Sequence, residues 1–137
     1  MNLLSFNIRG LGRGLEHAAF KILLDSVCPV MVFIQETMSS GLDSCSFFLR
    51  LRPGWLVSDL DSYGNYSRML VAWNPLMADL QAYNSSATIL LVGSIMGFKE
   101  SVHLLNIYGP YDNRRYFWEP TSNSRLLNLP NLILGWT

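Results

Sequence analysis

Two short apolar runs bracket a helical stripe at the start of this chain, and that arrangement limits the fold more than any other feature. Residues 2–8 (NLLSFNI) read as a strand, and Gly10, Gly12 and Gly14 punctuate the loop after it. Residues 16–27 then place Phe20, Leu23, Leu24 and Val27 at i, i+3, i+4 and i+7, the stripe of an amphipathic helix. Pro29 stops the helix. Residues 30–35 (VMVFIQ) follow as a nearly unbroken apolar run, a buried strand. The chain therefore opens β-loop-α-β.

The middle is rich in strands. Residues 39–49 suit a short helix after a serine cap, 54–58 a strand, and 59–67 a polar turn with Gly64 and Asn65. Residues 69–73 form a strand closed by Asn74-Pro75. Strands at 80–84 and 87–97 are separated by an Asn-Ser-Ser turn, and a strand at 101–108 ends at Gly109-Pro110. Residues 112–127 read as helical at least over 114–119, with Pro120 interrupting them, and 131–134 make the last strand. Helices between flanking strands imply an α/β protein with two packed sheets and outer helices. No repeat, linker or low-complexity tract divides the chain, so residues 1–137 read as one domain.

A chain of 137 residues, half of them hydrophobic, is long enough to bury a core. The formal net charge is zero, which argues against a general nucleic-acid scaffold but leaves room for a local arginine-lined phosphate site. The two cysteines, Cys28 and Cys45, match no zinc or redox spacing. Cys28 reads as a small core residue, and such sparse cysteine use fits a reducing, intracellular setting, nuclear or cytoplasmic. No basic segment followed by an apolar run marks a signal peptide. The longest mainly apolar stretch, 87–98, contains Gly93, Ser94 and Gly97 and is too short to span a bilayer, so no membrane association is expected.

Three of the apolar strands end in polar groups: Asn7 in SFNIRG, Glu36 in FIQET, and Asn106 with Tyr108 in LLNIYGP. A carboxylate with an amide oxygen suits a hard cation such as Mg²⁺, which is usually held by only one or two carboxylates. A tyrosine hydroxyl can hydrogen-bond a phosphate oxygen. Singly, each residue has a plainer reading: Glu36 as a solvated loop acid, Asn7 as a turn-stabilising asparagine, Tyr108 as a packed aromatic, Arg9 as a surface charge.

Taken in order, LLSFNIRGLG, VFIQET, LVAWNP and HLLNIYGP resemble the opening motifs of the endonuclease/exonuclease/phosphatase superfamily. They look most like the endonuclease domain of LINE-type (non-LTR) retrotransposons. The resemblance implies a deoxyribonuclease I-like four-layer α/β sandwich, of which this chain would be the N-terminal half to two-thirds. It implies DNA as partner and Mg²⁺ (or Mn²⁺) as cofactor, weakly held at an incomplete site. Asn7 matches the family's strand-end asparagine, Glu36 its metal-binding glutamate, and Tyr108 the tyrosine on the scissile phosphate, with Asn106 in a supporting role. Asn7 would also touch the metal.

The sequence departs from the pattern in two places. The family follows a strand like NLILG with Gly-Asp-Phe-Asn, whereas here Trp136 and Thr137 follow Gly135, and the later Ser-Asp-His segment is missing too. Of the two histidines, His17 falls on the first helix and His103 has the opposite strand parity to Asn106 and Tyr108, so neither is expected to replace the lost base. In the second place, Arg68 and Met69 stand where the retroelement enzymes have a glycine pair. The expectation is a truncated fragment of a Mg-dependent DNA endonuclease of retrotransposon origin, inactive alone. The alternative is a non-catalytic degenerate remnant, or a phosphate-binding or interaction module of the same superfamily. Uncovered sheet surface would favour self-association.

Overall fold

A computed structural model describes residues 1–10, 14–38, 41–60, 69–85, 87–107, 109 and 114–136. The elements are β1 (Leu3–Asn7), α1 (Gly14–Val27), β2 (Met31–Gln35), α2 (Gly41–Leu51), β3 (Leu56–Leu60), β4 (Met69–Trp73), β5 (Ala78–Asn84), β6 (Thr88–Ile95), β7 (Val102–Ile107), α3 (Arg114–Ser122), a 3-10 turn (Arg125–Asn128) and β8 (Leu132–Trp136). Gly12, the polar turn with Gly64 and Asn65, Arg68 and Tyr108 lie outside the described residues.

The strands form two four-stranded sheets, ordered β1-β2-β4-β3 and β5-β6-β7-β8. Each has the same plan. Three strands run antiparallel to their neighbours, and one parallel strand closes an edge: β1 beside β2, with Asn7 opposite Gln35, and β8 beside β7, with Asn106 opposite Gly135. Parallel neighbours need a crossover. Here α1 makes the first, and α3 with the 3-10 turn makes the second.

Strand alternation decides what faces what. In β2, Met31 and Phe33 join Met69, Val71 and Trp73 of β4 against Leu80, Ile89, Leu91, Val102 and Leu104 of the second sheet, making the core between the sheets. Val32 and Ile34 point the other way, with Leu70 and Ala72, onto Phe20, Leu24, Phe47 and Phe48 of α1 and α2. The central strands β2 and β4 are therefore buried on both faces, which is why they read as unbroken apolar runs.

Three local expectations are corrected. β6 stops at Ile95, not Gly97, because a turn follows in which the Phe98 N–H donates to the Ile95 carbonyl (3.0 Å) and Gly97 is left-handed at φ +94°. α3 continues through Pro120 to Ser122. Proline removes only the bond to the Tyr116 carbonyl, and in the last turn the Thr121 and Ser122 hydroxyls donate to the carbonyls of Phe117 (2.7 Å) and Glu119 (3.1 Å). Cys28 is exposed instead of in the core: it ends α1 in a left-handed conformation (φ +48°), its N–H on the Leu24 carbonyl. No helix among the described residues is long and apolar enough to cross a membrane.

Candidate functional site

The parallel registers make β1 and β2 finish together in the first sheet and β7 and β8 together in the second, and the hydrogen bond from Gln35 to Asn106 puts those two ends at the same end of the sandwich. The ladder between β1 and β2 extends past the strands: the Ile8 N–H donates to the Gln35 carbonyl (3.1 Å) and the Gly10 N–H to the Glu36 carbonyl (2.8 Å). Both loops leave in left-handed conformations, Arg9 at φ +50° and Gly10 at +105° after β1, Glu36 at +56° and Met38 at +50° after β2. For a non-glycine residue that conformation costs about 1–2 kcal/mol, and such strain gathers at binding and catalytic sites.

Asn7 ends β1 on the face turned toward the second sheet, sharing parity with Leu3 and Ser5. Its Oδ1 accepts the Arg9 N–H at 3.1 Å. The turn-stabilising reading of Asn7 therefore holds, yet an amide oxygen has a second lone pair, so the turn and a ligand can share it. Glu36 follows the residue paired with Asn7 and is half-buried. Among the described residues no basic group pairs with its carboxylate. Asn106, fully buried, faces them from β7. Asn7, Glu36 and Asn106 thus gather at one end of the sandwich. The fourth site residue, Tyr108, lies outside the described residues.

The sequence reading missed Gln35. It is fully buried, and its Nε2 donates to Asn106 Oδ1 (3.1 Å) in the opposite sheet and to Ser5 Oγ (3.2 Å) on β1. The signal was there: at inward parity after Met31 and Phe33, an amide closes an otherwise apolar face and must find a partner or cost about 1–3 kcal/mol. Gly135 seats β8 against this link. A Cβ there would lie 2.7 Å from Phe33 Cε2 and 3.5 Å from Asn106 Oδ1. The histidines sit elsewhere. His17 stacks on Phe47 with ring centroids 4.3 Å apart, on the helical side of the first sheet. His103 Nδ1 bonds the Pro130 carbonyl (2.8 Å) at the far end of β7.

The donors fit a magnesium-type ion. Among the described residues the Glu36 carboxylate has no basic partner, Asn7 ends the neighbouring strand, and buried Gln35 Oε1 behind them has no partner. Among the described residues no three His, Cys, Asp or Glu side chains gather. The set therefore suits an ion that keeps most of its water, and not one caged by protein ligands.

No family model matches the sequence, nor does any curated protein match it significantly. Solved structures match its fold over nearly its whole length. The endonuclease domain of TRAS1, a telomere-specific non-LTR retrotransposon, aligns over 98% of this chain at TM-score 0.66 and 16% identity. The fold is that of the endonuclease/exonuclease/phosphatase superfamily. D. rerio TDP2 complexed with a single-strand DNA product aligns over 97% of the chain at TM-score 0.66 and 16% identity. A Bacteroides thetaiotaomicron mannosyl-6-phosphatase aligns over 96% at TM-score 0.67 and 10% identity. The chain spans 57%, 58% and 62% of those three structures. As the sequence implied, the architecture is α/β and deoxyribonuclease I-like, and the resemblance to a LINE-type endonuclease stands.

Proposed function

We propose that residues 1–137 carry the metal-binding half of a DNA phosphodiesterase site of the retrotransposon-endonuclease kind, in an intracellular protein, and that these residues do not cleave DNA unaided. The observation that carries this reading is the meeting of Asn7, Glu36 and Asn106, drawn from two sheets, at one end of the sandwich. Glu36, with the free lone pair of Asn7, would hold Mg²⁺ or Mn²⁺. A divalent ion there supplies neutralisation of charge on the phosphate and the leaving oxygen. Tyr108 would donate its hydroxyl proton to a phosphate oxygen, and Asn106 holds the end of β7 on which that tyrosine follows.

These residues bind and orient, but none is placed to take a proton from water. His17 is stacked among the helices, and His103 is tied to a carbonyl at the far end of its strand. Trp136 follows Gly135 where the resembled motif has its aspartate. A general base typically contributes about 10²–10⁴ in rate.

Mn²⁺ titration followed by paramagnetic broadening of backbone NMR signals tests the site. Broadening centred on Gly10, Glu36 and Thr37, abolished in Glu36→Ala, is expected. Broadening that survives Glu36→Ala would remove Glu36 as the ligand. Supercoiled plasmid with Mg²⁺ should show no nicking above the Glu36→Ala control. Mg²⁺-dependent nicking lost in that variant would mean the chain is an enzyme as it stands. Release of phosphate from a sugar phosphate would instead favour the phosphomonoesterase side of the same fold.

A further inference from the structure

Gln35 stands between the two-sided core of β2 and the strained Glu36. Both N–H groups of its carboxamide are used, one on Ser5 Oγ of β1 and one on Asn106 Oδ1 of β7. One buried side chain therefore ties three strands in two sheets. The link is also incomplete, since Gln35 Oε1 and Asn106 Nδ2 are buried and have no partner among the described residues. Turning both amides over does not change this. Asn106 would then donate to Gln35 Oε1, the Ser5 hydroxyl would donate to the same oxygen, and Gln35 Nε2 with Asn106 Oδ1 would be left over.

A methionine facing a leucine would fill this space without the unpaired atoms and would pack at least as well. What the amide pair supplies instead is direction and a fixed separation between the sheets. That matters for the next residue. A left-handed glutamate persists only where its surroundings over-determine it. Here the Gln35 side chain is held by Ser5 and Asn106, its carbonyl by Ile8, and the Glu36 carbonyl by Gly10. Releasing the side chain frees one of the three anchors that fix Glu36.

We infer that Gln35 is a positioning residue for the metal-binding carboxylate of Glu36, acting through the Ser5–Gln35–Asn106 bridge, and that the same bridge sets the end of β7 against Glu36. The inference rests on the reading of Glu36 as the metal ligand. It assigns Gln35 no contact with the metal or with substrate.

The test compares Gln35→Met, Asn106→Leu and the double variant with Leu91→Val, a truncation in the same intersheet layer that leaves the bridge alone. Two quantities are read on each full-length chain: Mn²⁺ affinity, from the EPR signal of free Mn²⁺, and hydrogen exchange at the Ile8 and Gly10 amides. Gln35→Met should weaken Mn²⁺ about 10- to 100-fold, the range typical for groups that orient a metal ligand. It should also speed exchange at Ile8 and Gly10 at least about ten-fold relative to amides within β4, the usual signature of local opening. Leu91→Val should change neither by more than about two-fold, and the double variant should be no worse than Gln35→Met alone, because both remove one bridge. Should Gln35→Met fail to fold, Asn106→Leu reads the same bridge from β7. Wild-type affinity and exchange in the bridge variants, or an equal loss in Leu91→Val, overturns the inference. If the wild-type chain takes no Mn²⁺, the reading of Glu36 falls, and exchange at Ile8 and Gly10 alone decides whether the bridge holds this end in place.

Discussion

Replacing Gly135 by alanine sets two effects of known size against each other. Gly135 is not left-handed, so its backbone accepts a side chain, and restricting the unfolded chain by Gly→Ala should stabilise by about 0.4–1 kcal/mol. The new methyl, however, would sit 2.7 Å from Phe33 Cε2, nearer still to Cδ2, and 3.5 Å from Asn106 Oδ1. Carbon atoms in contact prefer about 3.5–4.0 Å, so the ring or the strand must retreat by roughly 1 Å. Phe33 is fully buried in the intersheet core and has no surface to move toward. Overpacking of that kind costs about 1–3 kcal/mol and outweighs the entropic gain, leaving a net loss of about 1.3 kcal/mol. For a chain of this length the unfolding entropy is about 0.3 kcal/mol per kelvin, so Tm should fall by about 4 °C. Thermal melts of four chains decide it: wild type, Gly135→Ala, Phe33→Leu and the double variant. Phe33→Leu should destabilise by itself, but it vacates the ring edge, so Gly135→Ala should cost almost nothing on that background. A Gly135→Ala melt within about 1 °C of wild type, or the same loss on both backgrounds, would refute the close packing of β8 on β2.

Glu36→Gly should relieve the left-handed strain and raise stability in urea by about 0.5–1 kcal/mol while abolishing Mn²⁺ binding; a loss of stability would show that Glu36 is not strained in solution. The half-exposed Asp25 carboxyl lies between Lys21 and Arg52, each 2.8 Å away, and hydrogen bonds from both hold its pKa below the usual 3.8. A depressed carboxylate stabilises the fold above its unfolded pKa and loses that contribution as pH falls through the folded value. Asp25→Asn should therefore melt slightly lower than wild type at pH 7, with the gap closing below about pH 4; a gap that does not change with pH would refute the pairing. β1 and β8 are edge strands carrying half-buried or exposed apolar residues such as Leu4, Phe6 and Leu134, so the chain alone should self-associate; a sharp monomer peak on size exclusion with no dye uptake would refute this.

The elements that could be read from the sequence are those whose pattern is set locally. β2 and β4 are apolar at every position because helices cover one face and the second sheet the other, and the Phe20–Leu24 stripe of α1 marks the face that covers them. The misread elements depend on partners distant in the chain. β5 starts at Ala78, two residues earlier than its apolar pattern suggests, because the returning β6 strand pins Met77 through the Met96 N–H. The site divides the same way. Asn7, Glu36 and Asn106 stand out in the sequence as polar groups closing apolar runs, while Gln35 reads only as the end of its strand. Its partner stands 71 residues away on the other sheet, and only the packing of the sheets brings the two amides together.

The two ends of the sandwich treat their polar groups differently. At the far end, polar side chains close on nearby backbone. Asn2 donates to the Val27 carbonyl (2.8 Å), Asn74 accepts the Leu76 N–H (3.0 Å), Asn131 reaches Glu100 (3.0 Å) and the Ser101 carbonyl (3.2 Å), and His103 bonds Pro130. At the near end, accounts stay open. Among the described residues the buried side-chain atoms without a partner are Glu16 Oε2, Gln35 Oε1, Thr37 Oγ1, Ser44 Oγ, Asn106 Nδ2 and Trp73 Nε1, and all but the last lie at this end. Glu16 and Ser44 are in the first turns of α1 and α2, which begin where β1 and β2 finish. Glu36 adds a strained backbone to the same place. Each unpaired atom costs about 1–3 kcal/mol, a large share of the stability of a small domain. At the far end only Trp73 Nε1 is left without a partner among the described residues, so the cost is concentrated at the near end, the end at which an ion or a phosphate is proposed to bind.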